Sequence, residues 1–141
     1  MTLNSVQLKY VSFVVADMER SLHFYRTLGL PIAEGAHLNA SGEAEGHVEV
    51  NAHGLRIAWE SEALMRELFP GWTPPSGAGR LAVAFGTGSV AEVDAVCEQL
   101  ESAGFTVKAP PYDAPWGQRY ATLQDPDGTP IDVFAWLPGH G

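Results

Sequence analysis

Pro115-Trp116-Gly117-Gln118-Arg119, Asp125-Pro126-Asp127-Gly128 and Ile131-Asp132-Val133-Phe134 belong to a single signal. Arg119 to Gln124 alternates in character, and Ile131 to Phe134 alternates again, which is the period of a pleated strand. The segment between them is turn chemistry. Pro126 presets φ, and Gly128 accepts φ > 0 without a steric cost. The sequence therefore reads strand, tight turn, strand. Tyr120, Thr122 and Gln124 share one face of the hairpin, and Asp132 is a carboxylate at a position directed inward.

The rest of the second half leads into this hairpin. Arg80 to Phe85 reads as a strand. Ser89 with Glu92 forms a capping box, and Val93, Val96, Cys97 and Leu100 make the apolar stripe of a helix. Gly104 stops that helix; Phe105 to Lys108 is a short strand followed by a proline loop.

The first half has the same plan. Leu8 to Ala16 is a strand, Asp17 caps a helix lined by Met18, Leu22, Tyr25 and Leu28, and Gly29 with Pro31 ends it. Ala33 to Gly46 is expected to hold a second strand and a loop. His47 to Asn51 and Leu55 to Glu60 then form a hairpin around Ala52-His53-Gly54. That turn lies about 74 residues before Pro126-Asp127-Gly128, so the chain reads as an internal repeat. Glu62 to Phe69 is a short helix, and Pro70 to Gly79 a linker by composition. The expected architecture is α+β: one domain over 1–141 with two tandem βαβββ units. The halves span about 7–62 and about 80–137, joined by a linker at about 63–79. Their sheets form a curved mixed surface around a concave cleft, with the helices outside.

Composition narrows the function. The chain has 141 residues, 45% of them hydrophobic, enough for a sizeable core. A net charge of -9 with only 8 Lys+Arg argues against nucleic acid as a partner. The single Cys97 allows no internal disulfide and lies among apolar helix positions, so it reads as core in a reducing compartment. No apolar run approaches the ~18 residues of a membrane span, so a cytoplasmic protein is expected. No nucleophile elbow, Walker loop or dinucleotide fingerprint occurs. His23, His37, His47, His53 and His140 show no spacing that suggests a shared metal.

Val15-Ala-Asp-Met-Glu-Arg-Ser-Leu-His-Phe-Tyr25 with Leu28-Gly29, and Trp116-Gly117 with Asp125-Pro126-Asp127-Gly128, resemble the vicinal-oxygen-chelate superfamily. That group includes glyoxalase I, extradiol dioxygenases and the bleomycin-resistance binding proteins, the last being closest in type. The resemblance covers nearly the whole chain. It implies the fold more strongly than the reaction, because one fold hosts several chemistries.

Enzymes of this superfamily carry metal ligands at four strand positions, which fall here on Tyr10, Ala58, Arg80 and Asp132. Only Asp132 is an ordinary ligand. Arg80 has no lone pair to offer, and a phenol coordinates only when deprotonated. The expectation is no metal and no cofactor, with an Arg80–Asp132 ion pair as one replacement. A divalent metal is the alternative.

Two functions stay open. The first is a binding protein that sequesters an aromatic or cationic small molecule, as in antibiotic resistance, and works as a homodimer. Its expected ligand contacts are Tyr10, Arg56, Glu60, Trp72, Arg80, Trp116, Arg119, Tyr120, Thr122, Asp132 and Phe134. The second is a lyase, isomerase or dioxygenase-like enzyme acting on a small carbonyl or anionic substrate, with Asp132 as base or metal ligand. The arginines favour an anion and the net charge favours a cation.

Overall fold

The computed structural model describes residues 5–76 and 81–141. The chain forms two compact units, and these do not follow the sequence halves. Unit 1 is Met1–Met18 with Pro31–Thr73; unit 2 is Glu19–Leu30 with Pro74–Gly141. The first helix therefore belongs with the second half.

Unit 1 is a three-stranded mixed sheet in the order β1-β3-β2. Its strands are β1 (Val11–Val15), β2 (His47–Ala52) and β3 (Leu55–Ser61). β1 runs parallel to β3, whereas β2 and β3 form the expected antiparallel hairpin. The hairpin turns on two residues, with φ 55° at His53 and 87° at Gly54. Two positive φ values give a turn whose twist matches that of the strands, and Asn51 Oδ1 accepts the Gly54 N–H at 3.0 Å. Phe13 and Trp59 are register partners on the apolar face. Their rings stack with centroids 6.2 Å apart, and both are buried with Val15 and Val48.

Helix α2 (Glu62–Leu68) follows β3 directly, capped by the Ser61 hydroxyl, which accepts the Leu64 N–H at 3.1 Å. The expected second strand between Ala33 and Gly46 is reduced to turns and one isolated bridge, Leu38 to Ala44. The Asn39 side-chain oxygen accepts the N–H groups of Ser41 and Glu43. Such local capture offers the backbone an alternative to a ladder.

Unit 2 is a four-stranded mixed sheet in the order β4-β7-β6-β5. It comprises β4 (Val83–Gly86), β5 (Thr106–Asp113), β6 (Gln118–Gln124) and β7 (Pro130–Trp136), with helix α3 (Val90–Ser102). The hairpin expected around Asp125-Pro126-Asp127-Gly128 is present as β6 and β7, paired from Gln118–Trp136 to Gln124–Pro130. β5 is longer than expected and runs through Pro110 and Pro111, with two register shifts. It is one of the two edge strands of this sheet, where a missing N–H removes no inner ladder bond.

The apolar side of this sheet carries Ala121, Leu123, Ile131, Val133 and Ala135, all buried. Val93, Cys97 and Leu100 of α3 are buried as well, and α3 packs on β5, β6 and β7. Burying each of the leucine, isoleucine and valine side chains among these contributes about 1.5–3 kcal/mol. Burial pushes the Cys97 thiol up to about 11, which makes it a core residue without thiolate character.

Helix α1 (Met18–Leu28) is held at one end of the same sheet. Phe24 meets Phe105 edge-on at 5.2 Å, and the Arg20 guanidinium lies 5.0 Å from the centre of that ring.

Candidate functional site

Strand alternation sorts the side chains of β6 and β7. The face opposite α3 carries Gln118, Tyr120, Thr122 and Gln124 on β6 and Asp132, Phe134 and Trp136 on β7. Register sets Tyr120 against Phe134 and Thr122 against Asp132. Asp132 consequently accepts two hydroxyl donors, Tyr120 Oη at 2.6 Å and Thr122 Oγ1 at 2.9 Å, one on each oxygen. Burial, then the bond to Asp132, pushes the Tyr120 phenol up to about 12, so it remains a donor. On the other side of β7, Asp132 pairs with Ala84 and Phe134 with Gly86.

Aromatic rings continue the face. Tyr120 and Phe134 stack at 6.4 Å; Trp116 stands edge-on to Tyr120 at 5.4 Å, and Tyr112 edge-on to Trp116 at 6.3 Å. Trp136 meets Phe134 edge-on at 6.4 Å. The turn between β5 and β6 positions Trp116. Gly117 at φ 98° donates to the Ala114 carbonyl, Ala114 N–H donates to Gln118 O, and the indole N–H reaches Gln118 Oε1 at 2.8 Å. Tyr112, Trp116 and Trp136 remain 43%, 53% and 51% exposed, more than a core role would leave.

Arg119, expected as a ligand contact, is on the opposite face. Its guanidinium reaches Asp94 of α3 at 2.9 and 3.1 Å and Asp113 at 3.0 Å. These bonds, Asp113 first, raise its already high pKa further. Period-2 alternation explains the correction: a residue adjacent to Tyr120 in a strand cannot share its face.

The polar face of unit 1 holds Tyr10, Arg56 and Glu60 together. β3 presents Arg56, Ala58 and Glu60, and β2 presents Asn51, Glu49 and His47 opposite them. His47 lies between two carboxylates, Nε2 at 3.0 Å from Glu49 and Nδ1 at 3.2 Å from Glu60. Tyr10 meets the His47 ring edge-on at 5.8 Å, and Arg56 is ion-paired to Glu49. Histidine spacing gives no hint of this cluster. Hairpin arithmetic does, because the His53-Gly54 turn places residue 47 opposite residue 60.

The Trp72 ring lies 5.7 Å from the Arg66 guanidinium of α2. Arg80, and the ion pair expected between it and Asp132, lie outside the described residues.

Of the four positions that the resemblance gives to metal ligands, Tyr10, Ala58 and Asp132 are among the described residues. Ala58 is a buried methyl with no donor atom, so that position supplies no ligand. The His47 nitrogens point to different carboxylates on opposite sides of the ring, so His47, Glu49 and Glu60 do not converge on one point. Among the described residues no group of three His, Cys, Asp or Glu could hold a metal ion. Nor, among those residues, is any helix long and apolar enough to cross a membrane.

Residues 7–133 match the family model of the Glyoxalase/Bleomycin resistance protein/Dioxygenase superfamily. The chain belongs to that superfamily.

Solved structures of the glyoxalase/bleomycin resistance/dioxygenase type share its fold. A glyoxalase/bleomycin resistance protein/dioxygenase from Nocardioides is 27% identical, over 98% of this chain and 88% of that one, with a TM-score of 0.68. A protein of unknown function from Agrobacterium tumefaciens str. C58 is also 27% identical, over 94% and 95%, at 0.66. A lactoylglutathione lyase from Agrobacterium tumefaciens is 20% identical, over 92% of each chain, at 0.62, a likeness of fold alone. No curated protein matches the sequence.

Proposed function

We propose that this superfamily member is a small-molecule binding protein that takes a flat, positively charged aromatic ligand on the open face of β6 and β7. One observation carries the reading: the row Tyr112, Trp116, Tyr120, Phe134 and Trp136 is continuous and leads to the carboxylate of Asp132. Half-exposed rings supply stacking area and attract cations through their faces. Asp132, oriented by Tyr120 and Thr122, supplies the counter-charge; a carboxylate has about four acceptor sites, which leaves some for a ligand. The net charge of -9 favours cation capture at long range. In this reading the protein sequesters its ligand, as bleomycin-resistance proteins do, and works as a homodimer.

Titration of tryptophan fluorescence tests the proposal with a glycopeptide of the bleomycin type, simple aromatic cations and α-keto acids. Saturable quenching by the cations, lost in Asp132→Asn and without product formation, is the expected result. Turnover of a carbonyl substrate with one equivalent of tightly held metal overturns it.

A further inference from the structure

His47 makes two contacts with separate causes in the sequence. Glu49 is two residues along the same strand and so shares its face; Glu60 is directly across the hairpin. A carboxylate can only accept, and a neutral imidazole has a single N–H. Both contacts, at 3.0 and 3.2 Å, are therefore hydrogen bonds when both ring nitrogens carry protons. Protonating a carboxylate instead is disfavoured at Glu49, which Arg56 holds as an ion.

We infer that His47 is a proton-operated latch on the polar face of unit 1: as imidazolium it ties β2 to β3, and its deprotonation leaves that face with an excess negative charge. The charged groups around it are Glu49 from β2 and Arg56 and Glu60 from β3; Tyr10, just before β1, contributes its ring edge. Glu62 of α2 is 3.7 Å from its own Arg66. His47 and Arg56 balance Glu49 and Glu60 while the latch is closed. A ligand reaching Tyr10 or Arg56 then meets a neutral face, and an anionic one once the proton leaves.

The titration directions agree. The Glu49 hydrogen bond, against partial desolvation and with help from Glu60, holds His47 above its ordinary 6.5. The His47 bond, followed by Arg56, holds Glu49 below its ordinary 4.5. A raised histidine stabilises fully below 6.5 and loses that contribution as pH rises through its folded value. A lowered glutamate contributes above 4.5 and loses its share as pH falls through its folded value. The latch is thus closed between these limits and opens on the alkaline side, near the pH range in which histidine switches operate.

Nitrogen-detected NMR of the histidine rings in the full chain tests this directly. The His47 ring, assigned by its loss in His47→Gln, should show both nitrogens protonated at about pH 6. Its midpoint should lie above 6.5 and move back toward 6.5 in Glu60→Gln. The wild-type melting temperature should fall across the same interval, and that of His47→Gln should not. A midpoint at or below 6.5, or identical pH dependence in the two proteins, overturns the inference.

Discussion

Tyr25 on α1 donates a 2.6 Å hydrogen bond to Asp125 Oδ2, joining residues 100 positions apart inside unit 2. Asp125 is 4% exposed, and its other oxygen accepts the N–H groups of Asp127 and Thr129 at 2.9 and 2.8 Å. The carboxylate thus folds the turn between β6 and β7 and anchors a helix to it. Nearby, Ser21 Oγ donates to Asp127 Oδ2 at 3.3 Å. Burial, and then the charge of Asp125, push the Tyr25 phenol far up, so it stays a donor throughout the folded range.

Tyr25→Phe removes this donor and leaves a buried carboxylate oxygen short of a partner. A hydrogen bond to a charged group contributes about 1.5–3 kcal/mol, and the variant should lose that much in urea unfolding. A loss below about 0.5 kcal/mol would mean the bond does not anchor α1.

The two motifs that carry the resemblance, Phe24-Tyr25 and Asp125-Pro126-Asp127-Gly128, are therefore two sides of one contact. Spacing alone cannot show that, because nothing in a sequence says which helix meets which turn. The same gap explains why α1 reads as part of the first half. The β6–β7 hairpin is legible because its alternation and turn chemistry agree. Arg119 is expected at the ligand because its residue type suggests binding, although parity with Tyr120 already excludes that face. The prolines of β5 read as loop because sequence does not mark a strand as an edge. His47 escapes notice because its partner is across a hairpin whose register follows from the turn length.

His53 occupies the left-handed region at φ 55°, next to Gly54. A residue with a Cβ pays about 1–2 kcal/mol there, and asparagine adopts that region more readily because its short side chain hydrogen-bonds locally. His53→Asn creates the Asn-Gly pair that two-residue hairpins favour. It should raise stability by about 0.5–1 kcal/mol, seen as a higher melting temperature with an unchanged m-value. A neutral or negative shift would mean His53 makes a compensating contact.

Tyr120 should titrate late. Its folded value of about 12 exceeds the ordinary 10, through burial first and the bond to Asp132 second, so the neutral phenol's contribution is complete below pH 10. That contribution disappears as pH climbs from 10 to about 12. Phenolate absorbance should show a step near the upper value that Tyr120→Phe removes. The variant should also lose the matching part of the alkaline decline in stability. A step already complete near 10 would place the phenol in solvent, away from Asp132.

Arg119 and Trp116 separate a structural role from a binding one. Arg119 ties β6 to Asp94 of α3 and to Asp113, in bonds partly open to solvent. Exposed ion pairs contribute about 0.2–1 kcal/mol each. Arg119→Ala should therefore lower stability by about 1 kcal/mol and leave quenching by an aromatic cation unchanged. Trp116→Phe should do the reverse. It keeps a ring beside Tyr112 and Tyr120 but removes the indole, whose face binds cations best. Affinity should fall by about five- to thirtyfold, the equivalent of 1–2 kcal/mol, with little change in melting temperature. Isothermal titration of both variants against the same cation decides the matter. If Arg119→Ala weakens binding and Trp116→Phe does not, the ligand sits on the α3 side of the sheet and the aromatic row is not its site.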